Sequence, residues 1–166
     1  MTIRRHHLAV LMLALGTAAC TAFGPAVLPV GASEAEVTSK LGQPTHVYAD
    51  GSGRVLEYMH GPAGQGTDMV RLDANGKLVS SEQVLTMQTF GKLQPMVSRR
   101  EDVLRTVGAP SQVRRYRDGL QAWQYPYREN GVWDSLMTIY LDDQGLMHRM
   151  ENGPDPAREP NGRGRR

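Results

Sequence analysis

The feature that most constrains the fold of this chain is an internal repeat, spaced 66 to 69 residues apart. Three landmarks occur twice in the same order: Leu-Gly-Gln-Pro at 41–44 and Val-Gly-Ala-Pro at 107–110, Leu-Glu-Tyr at 56–58 and Trp-Gln-Tyr at 123–125, Leu-Asp-Ala-Asn-Gly at 72–76 and Leu-Asp-Asp-Gln-Gly at 141–145. Repeats of this length are supersecondary units that bury their apolar faces against each other. The sequence therefore predicts two similar units, residues 31–83 and 84–152.

Each unit is predicted to open with a short helix. The Ser-x-x-Glu capping box that begins a helix occurs once in each unit: Ser33 with Glu36, and Ser98 with Glu101. Gly42 and Gly108 suit the positive φ required just beyond a helix end, and a proline two positions later prevents continuation. A further short helix is predicted at the start of the second unit, capped by Thr86, with Phe90 and Leu93 facing inward.

Antiparallel strands follow each helix. Asp-Gly pairs at 50–51 and 118–119 are typical hairpin turns. Strand-like segments, rich in aromatic and β-branched residues or following a turn, lie at 54–59, 68–72, 77–85, 121–127, 133–141 and 146–151. Pro126 predicts an edge position or a bulge in its strand. The predicted fold class is α+β, in which each unit packs one or two short helices on a three- to four-stranded antiparallel sheet.

The N-terminus predicts processing rather than folded structure. Arg4 and Arg5 precede an apolar run that ends at Ala19 and is shorter than the roughly 20 residues of a membrane-spanning helix. Small residues then lead to Cys20, the chain's one cysteine. This arrangement resembles a bacterial lipobox, which implies that residues 1–19 are a cleaved signal and that Cys20 carries lipid. The alternative is an ordinary secretory signal with Cys20 incidental.

The two segments that flank the repeat are predicted to be a tether and a disordered tail. Residues 20–30 contain Pro25 and Pro29 and are expected to be a lipidated tether. Residues 153–166 are rich in glycine, proline and arginine, have no apolar periodicity and are expected to be a disordered basic tail. Such a tail is either simply solvated or weakly attracted to anionic lipid.

Ordered landmarks of the second unit resemble the SmpA/OmlA family, also called BamE-like. They are Leu85-Thr86, Phe90, Glu101-Asp102-Val103, the motif at 107–110, Trp123-Gln124-Tyr125 and the turn at 141–145. The first unit resembles the family more loosely. The family implies an outer-membrane lipoprotein of α-α-β-β-β fold, whose type member is an accessory subunit of the β-barrel assembly machinery. The tandem arrangement is similar to the β-lactamase inhibitory protein fold.

The resemblance implies a function exerted by binding. The expected protein is non-catalytic, lipid-anchored on the periplasmic side of the outer membrane, and bound to an envelope protein, possibly the β-barrel assembly complex. The alternative is a periplasmic inhibitor-like or ligand-binding module that uses a concave sheet face. Fold alone does not decide between them.

No residue pattern predicts chemistry. The histidines beyond the signal, His46, His60 and His148, lack the spacing of a metal or catalytic motif, so neither a metal nor a cofactor is expected. Removal of Arg4 and Arg5 with the signal leaves a nearly neutral chain, which does not favour nucleic acid as a partner. A small-molecule substrate is not expected either.

The aromatic residues of the second unit offer a candidate site. Strand alternation places Trp123, Tyr125 and Tyr127 on one face. If that face is exposed, these residues would anchor a protein interface, since Trp and Tyr are enriched in such anchors. The alternative is that they pack between helix and sheet in the core.

Overall fold

The computed structural model describes residues 28–158. They form an α+β fold with three short helices and two four-stranded antiparallel sheets. The first unit contains α1 (Glu34–Leu41), β1 (His46–Asp50), β2 (Gly53–His60), β3 (Gly66–Leu72) and β4 (Leu78–Gln83). The second contains α2 (Met87–Phe90), α3 (Arg100–Val107), β5 (Gln112–Arg115), β6 (Gln121–Glu129), β7 (Trp133–Leu141) and β8 (Met147–Pro154). In each sheet the strands follow one another in chain order.

The predicted capping box of α1 is confirmed. The Ser33 hydroxyl accepts a hydrogen bond from the Glu36 amide at 3.3 Å, and the Glu36 carboxylate accepts one from the Ser33 amide at 2.7 Å. The Ser33 hydrogen bonds also lower the pKa of the Glu36 carboxyl. The helix ends at Gly42, whose φ of 84° is positive, as predicted.

The prediction for the start of α3 was wrong by one residue. Arg99, not Ser98, is the N-cap, and its amide donates to the Asp102 carboxylate at 2.8 Å. Ser98 instead accepts a hydrogen bond from the Gln94 amide, which fixes the loop before the helix. The structural repeat is thus more regular than the sequence pattern, because Arg99 lies 66 positions after Ser33.

One hydrogen bond recurs in both units, and it joins the second strand of the sheet to the end of α1 or α3. The Tyr58 hydroxyl donates to the Gly42 carbonyl at 3.3 Å, and the Tyr125 hydroxyl donates to the Gly108 carbonyl at 3.0 Å. A carbonyl at a helix end has no partner within its helix. The repeated tyrosine therefore satisfies an orphan acceptor and fixes helix to sheet in each unit.

The final hairpin also recurs. The Asp73 side chain accepts from the amides of Asn75 and Lys77, and the Asp142 side chain accepts from the Leu146 amide. Both hairpins then carry a register shift at the same place, at Leu72 and at Leu141. The repeated Leu-Asp landmark thus encodes a turn and the irregularity that follows it.

The first sheet is buried on both faces. Leu56 and Val70 pack with Val37 of α1 in a small cluster of the first unit. Val55 and Met69 point the other way and belong to the main cluster, together with residues of α2, α3 and the second sheet. The second unit thus covers the face of the first sheet that points away from α1.

The second sheet is covered on one face by α2 and α3. Phe90 makes edge contacts with Tyr125 and Tyr127, with ring centroids 6.0 and 5.3 Å apart. Leu93 is buried in the same cluster, so the inward orientation of both residues is confirmed. Pro126 lies beyond the last residue of β6 that pairs with β5, which places it at a free edge as predicted.

The C-terminal prediction needs correction. β8 continues through Gly153 to Pro154, and a turn follows in which the Asp155 amide donates to the Asp134 carbonyl. These hydrogen bonds give residues 153–158 a fixed place, although their composition predicts disorder. Residues 159–166, the predicted signal 1–19, Cys20 and most of the predicted tether lie outside the described residues. Among the described residues, no helix combines the length and apolarity needed to cross a bilayer.

Candidate protein-binding face of the second sheet

The predicted interaction residues are buried. Trp123 is 6% exposed, Tyr125 1% and Tyr127 0%. They share one face of β6, as alternation predicted, but that face carries α2 and α3. Burial raises the pKa of the Tyr127 hydroxyl to about 12 and that of Tyr125 well above its usual value. The predicted interface over these three residues is therefore wrong, because the helices cover it, and the core alternative is correct.

The opposite face of the second sheet is open. Its side chains come from the alternate positions of β6 and β7, including Gln124, Pro126, Leu136 and Tyr140. None of these residues belongs to either buried cluster. Among residues 28–158, no α-helix or second sheet packs on this face, although the short 3₁₀ turn at Pro62–Gly64 contacts β6 at one end. Ala122, Thr138 and Tyr140 on this face are 0%, 9% and 9% exposed.

A groove of about 720 Å³ runs across one end of the open face. Pro126 and Leu136 give it an apolar floor, and Gln112, Arg114 and Gln124 give it a polar side. Its volume lies within the ordinary range for binding pockets, which combine apolar surface with a few polar groups.

The far wall of the groove comes from two distant segments. One is the turn between β2 and β3 of the first unit, where Ala63 lines the groove. The other is the C-terminal turn, where Arg158 donates to the Pro62 carbonyl at 3.0 Å and faces Asp155 at 3.6 Å. The groove is thus a joint product of both units and the C-terminal turn.

A polar contact fixes the first unit against this wall. The Gln65 amide donates to the Asp134 carboxylate at 2.8 Å, and Arg128 contacts the same oxygen at 3.0 Å. The Gln65 hydrogen bond lowers the pKa of Asp134 below its usual value. The carboxylate is therefore ionised at neutral pH and holds the two units in one arrangement.

The other end of the open face is built from tyrosine and arginine. The rings of Tyr116 and Tyr140 lie 6.1 Å apart, and the Arg149 guanidinium lies 3.8 Å from the centre of the Tyr140 ring. Glu151 accepts from both Arg149 and the Tyr140 hydroxyl, and the Arg149 hydrogen bond lowers the pKa of Glu151. Tyr116 is half exposed. Tyrosine and arginine are among the residues that contribute most to protein interfaces.

A buried carboxylate joins the units behind the second sheet's helices. Glu57 of β2 is fully buried and accepts hydrogen bonds from the Tyr48 hydroxyl and from the Ala109 amide at 3.1 Å. His46 lies 3.3 Å from the same carboxylate. Burial, followed by the hydrogen bond to Glu57, raises the pKa of Tyr48. This contact links the first sheet to the end of α3.

The histidines do not gather into a site. His60 faces Asp68 at 3.2 Å, and His148 faces Asp142 at 2.8 Å, each as a separate pair. Asp50, in the same unit as His46 and His60, pairs with Arg71. Across residues 28–158, no three His, Cys, Asp or Glu side chains are grouped as metal ligands.

Sequence reasoning missed the open face because its residues are unremarkable one by one. The signal that could have found it is the charge of the β5–β6 hairpin, where three arginines and Tyr116 fall within residues 114–117. No family model matches this chain, and no curated protein or solved structure matches it either.

Proposed function

We propose that this protein is a non-catalytic, lipid-anchored accessory factor that binds other proteins of the bacterial envelope through the open face of its second sheet. The observation that carries the proposal is the groove over Pro126 and Leu136, walled by both units. Extended peptide segments suit a sheet face with an apolar floor and a polar rim, since such surfaces combine burial with orienting hydrogen bonds.

The anchor in this proposal is Cys20. The lipobox-like run before it supports attachment, and the SmpA/OmlA resemblance supports the periplasmic side of the outer membrane. Several acyl chains on one residue would hold the protein stably, whereas a single chain binds only marginally. Palmitate labelling tests the anchor: label is expected in the parent and absent in Cys20→Ala. A parent chain without label would contradict it.

The proposed partner is a β-barrel outer-membrane protein or a component of the machinery that assembles such proteins. The test is quantitative co-purification of the full chain from its own envelope, comparing the parent with Leu136→Glu in the groove. The matched control is Val79→Glu, because Val79 is exposed on the first unit's β4. Partner recovery is expected to fall in the groove variant alone, and equal recovery in all three chains would contradict the proposal.

The inhibitor-like alternative uses the same face but a different partner. In that case the co-purified protein would be a periplasmic enzyme, and the full chain would lower the activity of that enzyme. The groove at the junction of the two units is the observation that favours it, because a partner bound there would contact both units. The identity of the recovered protein separates the two functions.

A further inference from the structure

The free edge of the second sheet lies beside the groove. β5 is an edge strand of four exposed residues, paired with β6 alone. The Tyr116 amide donates to the Leu120 carbonyl, so the residues in phase with Tyr116 direct their backbone groups toward β6. Val113 and Arg115, in the other phase, direct theirs outward. No contact within residues 28–158 satisfies these outward groups.

β5 and the turn that follows it are unusually cationic. Arg114, Arg115 and Arg117 lie within four residues, and none of the three pairs with a carboxylate in the described part of the chain. The contact of Arg114 is with the Gln112 side chain at 3.4 Å. Asp118, the nearest acid in sequence, accepts from the Leu120 amide instead.

Three other arginines of the second unit behave differently, whereas Arg99 and Arg100 at the start of α3 also have no ion pair with a carboxylate in the described residues. Arg128 pairs with Asp134, Arg149 with Glu151 and Arg105 with Asp102, all at 3.0 Å or less. Three of the five arginines of the second unit without such a pair thus lie on β5 or in the turn after it, and β5 is also a sheet edge with outward backbone groups. Guanidinium groups match carboxylates in a planar, two-bond geometry.

We infer that β5 accepts an extended acidic segment of a partner protein as a fifth strand of the second sheet. The inference rests on the proposed function, and it names the chemistry of the partner. Backbone hydrogen bonds to Val113 and Arg115 would provide the ladder, and side-chain alternation would bring acids onto Arg114 on one face and Arg115 on the other.

Two other occupants fit β5 less well than an acidic strand does. A second copy of β5 would place arginine beside arginine, which is unfavourable in a cross-strand pair. An anionic membrane would attract the arginines but leave the outward backbone groups of β5 without a ladder partner. An acidic strand satisfies both sets of groups, and apolar residues next to its acids can reach the floor of the groove.

The test uses a fluorescein-labelled peptide with two adjacent glutamates flanked by valines, so that one glutamate falls on each face of the added strand. The peptide is titrated with the purified full chain and followed by fluorescence anisotropy. The expected result is saturable binding that weakens with added salt, because exposed charges are screened. The double variant Arg114→Glu with Arg115→Glu is expected to weaken binding by about tenfold or more. Lys92→Glu with Arg99→Glu makes the same charge change at exposed positions elsewhere, and it is expected to leave binding unchanged.

Backbone pairing has its own control. Two peptides carry N-methyl groups on alternate amides, one in each phase, with the same net charge as the parent peptide. Strand addition predicts that one phase abolishes binding and the other preserves it. Equal binding by both phases, or equal weakening by both double variants, would overturn the inference.

Competing occupants are measured in parallel. Vesicles containing phosphatidylglycerol that bind the full chain through the same arginines, with no peptide binding, would overturn the inference in favour of a membrane contact. Self-association lost in the arginine double variant, again without peptide binding, would overturn it in favour of a second copy. If Leu136→Glu abolishes partner recovery while the peptide fails to bind, the proposed function survives and the acidic strand does not.

Discussion

The two units share a plan but differ in what covers their sheets. The first sheet has α1 on one face and the main cluster, shared with the second unit, on the other. The second sheet has helices on one face alone, and its other face carries the groove. Two copies of one motif therefore take different roles: the first sheet is a buried middle layer, and the second presents a surface.

The two units also differ in net charge. Residues 31–83 contain seven acidic side chains against four Lys and Arg, whereas residues 84–152 contain eight acidic side chains against nine. The extra arginines of the second unit gather on and after β5. Divergence of the repeat has thus placed free cationic charge beside the open face and left the covered sheet in the more acidic unit.

The largest effect is expected from the helix that the first unit lacks. Phe90 of α2 is fully buried against Tyr125 and Tyr127, and Phe90→Ala should lower the free energy of unfolding by about 3–5 kcal/mol. Gln88→Ala on the exposed side of the same helix is the control, with an expected change within about 0.5 kcal/mol. Urea unfolding measures both changes. A change in the free energy of unfolding on Phe90→Ala as small as that of the control would mean that α2 is not part of the core.

The next effect separates equivalent positions of the repeat. Glu57 and Gln124 both precede the repeated tyrosine, but Glu57 is buried at the junction and Gln124 lies on the open face. Glu57→Ala leaves the Tyr48 hydroxyl and the Ala109 amide without their partner, at an expected cost of about 2–4 kcal/mol. Gln124→Ala should change stability by about 0.5 kcal/mol or less. Similar costs at both positions would contradict the covered-versus-open distinction.

A glycine pair sharpens the comparison further. Gly42 and Gly108 have nearly the same backbone, with φ of 84° and 86° and extended ψ, a region that costs non-glycine residues about 1–3 kcal/mol. A Cβ at Gly42 meets nothing within 4 Å, whereas one at Gly108 lies 2.8 Å from the Glu57 carboxylate. Gly108→Ala should therefore destabilise more than Gly42→Ala in thermal unfolding. The reverse order would show that the junction is looser than described.

The smallest effect is acid sensitivity, and it should fall mainly on the second unit. Glu36 is the one carboxylate of the first unit with a lowered pKa, whereas five in the second unit have one: Asp102, Glu129, Asp134, Asp142 and Glu151. Stability from such groups is present above the unfolded pKa of about 4 and is lost as the pH falls through the lower folded value.

Amide exchange at pH 6 and pH 3, corrected for intrinsic rates, measures this loss strand by strand. Protection is expected to fall more in β6–β8 than in β2 and β3. Asp142→Asn, which removes the negative charge that faces His148, should reduce the pH dependence. A larger loss in the first sheet would contradict the expectation.

Much of the fold follows from local sequence signals. Three features depend on residues within four positions of each other and can therefore be predicted from the local sequence: the Ser33 box, the Thr86 cap and the paired Asp turns. Local preference puts the box of α3 one residue early, because Ser98 offers a better capping side chain than Arg99. The isolated antiparallel bridge between Arg99 and Leu146 goes with the observed register. Local preference and tertiary pairing disagree there, and pairing decides.

The site was less predictable for a physical reason. Alternation tells which residues of β6 share a face, but the period of two is the same for both faces and does not say which one the helices cover. The groove also depends on contacts such as that between Arg158 and the Pro62 carbonyl, which lie 96 residues apart. No local pattern encodes a wall built from such distant segments, and the composition of residues 153–158 pointed away from it.

The most direct test of the central claim is site-specific photocrosslinking of the full chain in its own cells. A photoreactive residue replaces Gln124 on the open face of the second sheet in one strain, and Ser39 on the exposed side of α1 in another. The account predicts crosslinks from position 124 to an outer-membrane β-barrel or its assembly machinery, and none of these from position 39. Crosslinks to such proteins from position 39 alone would contradict it.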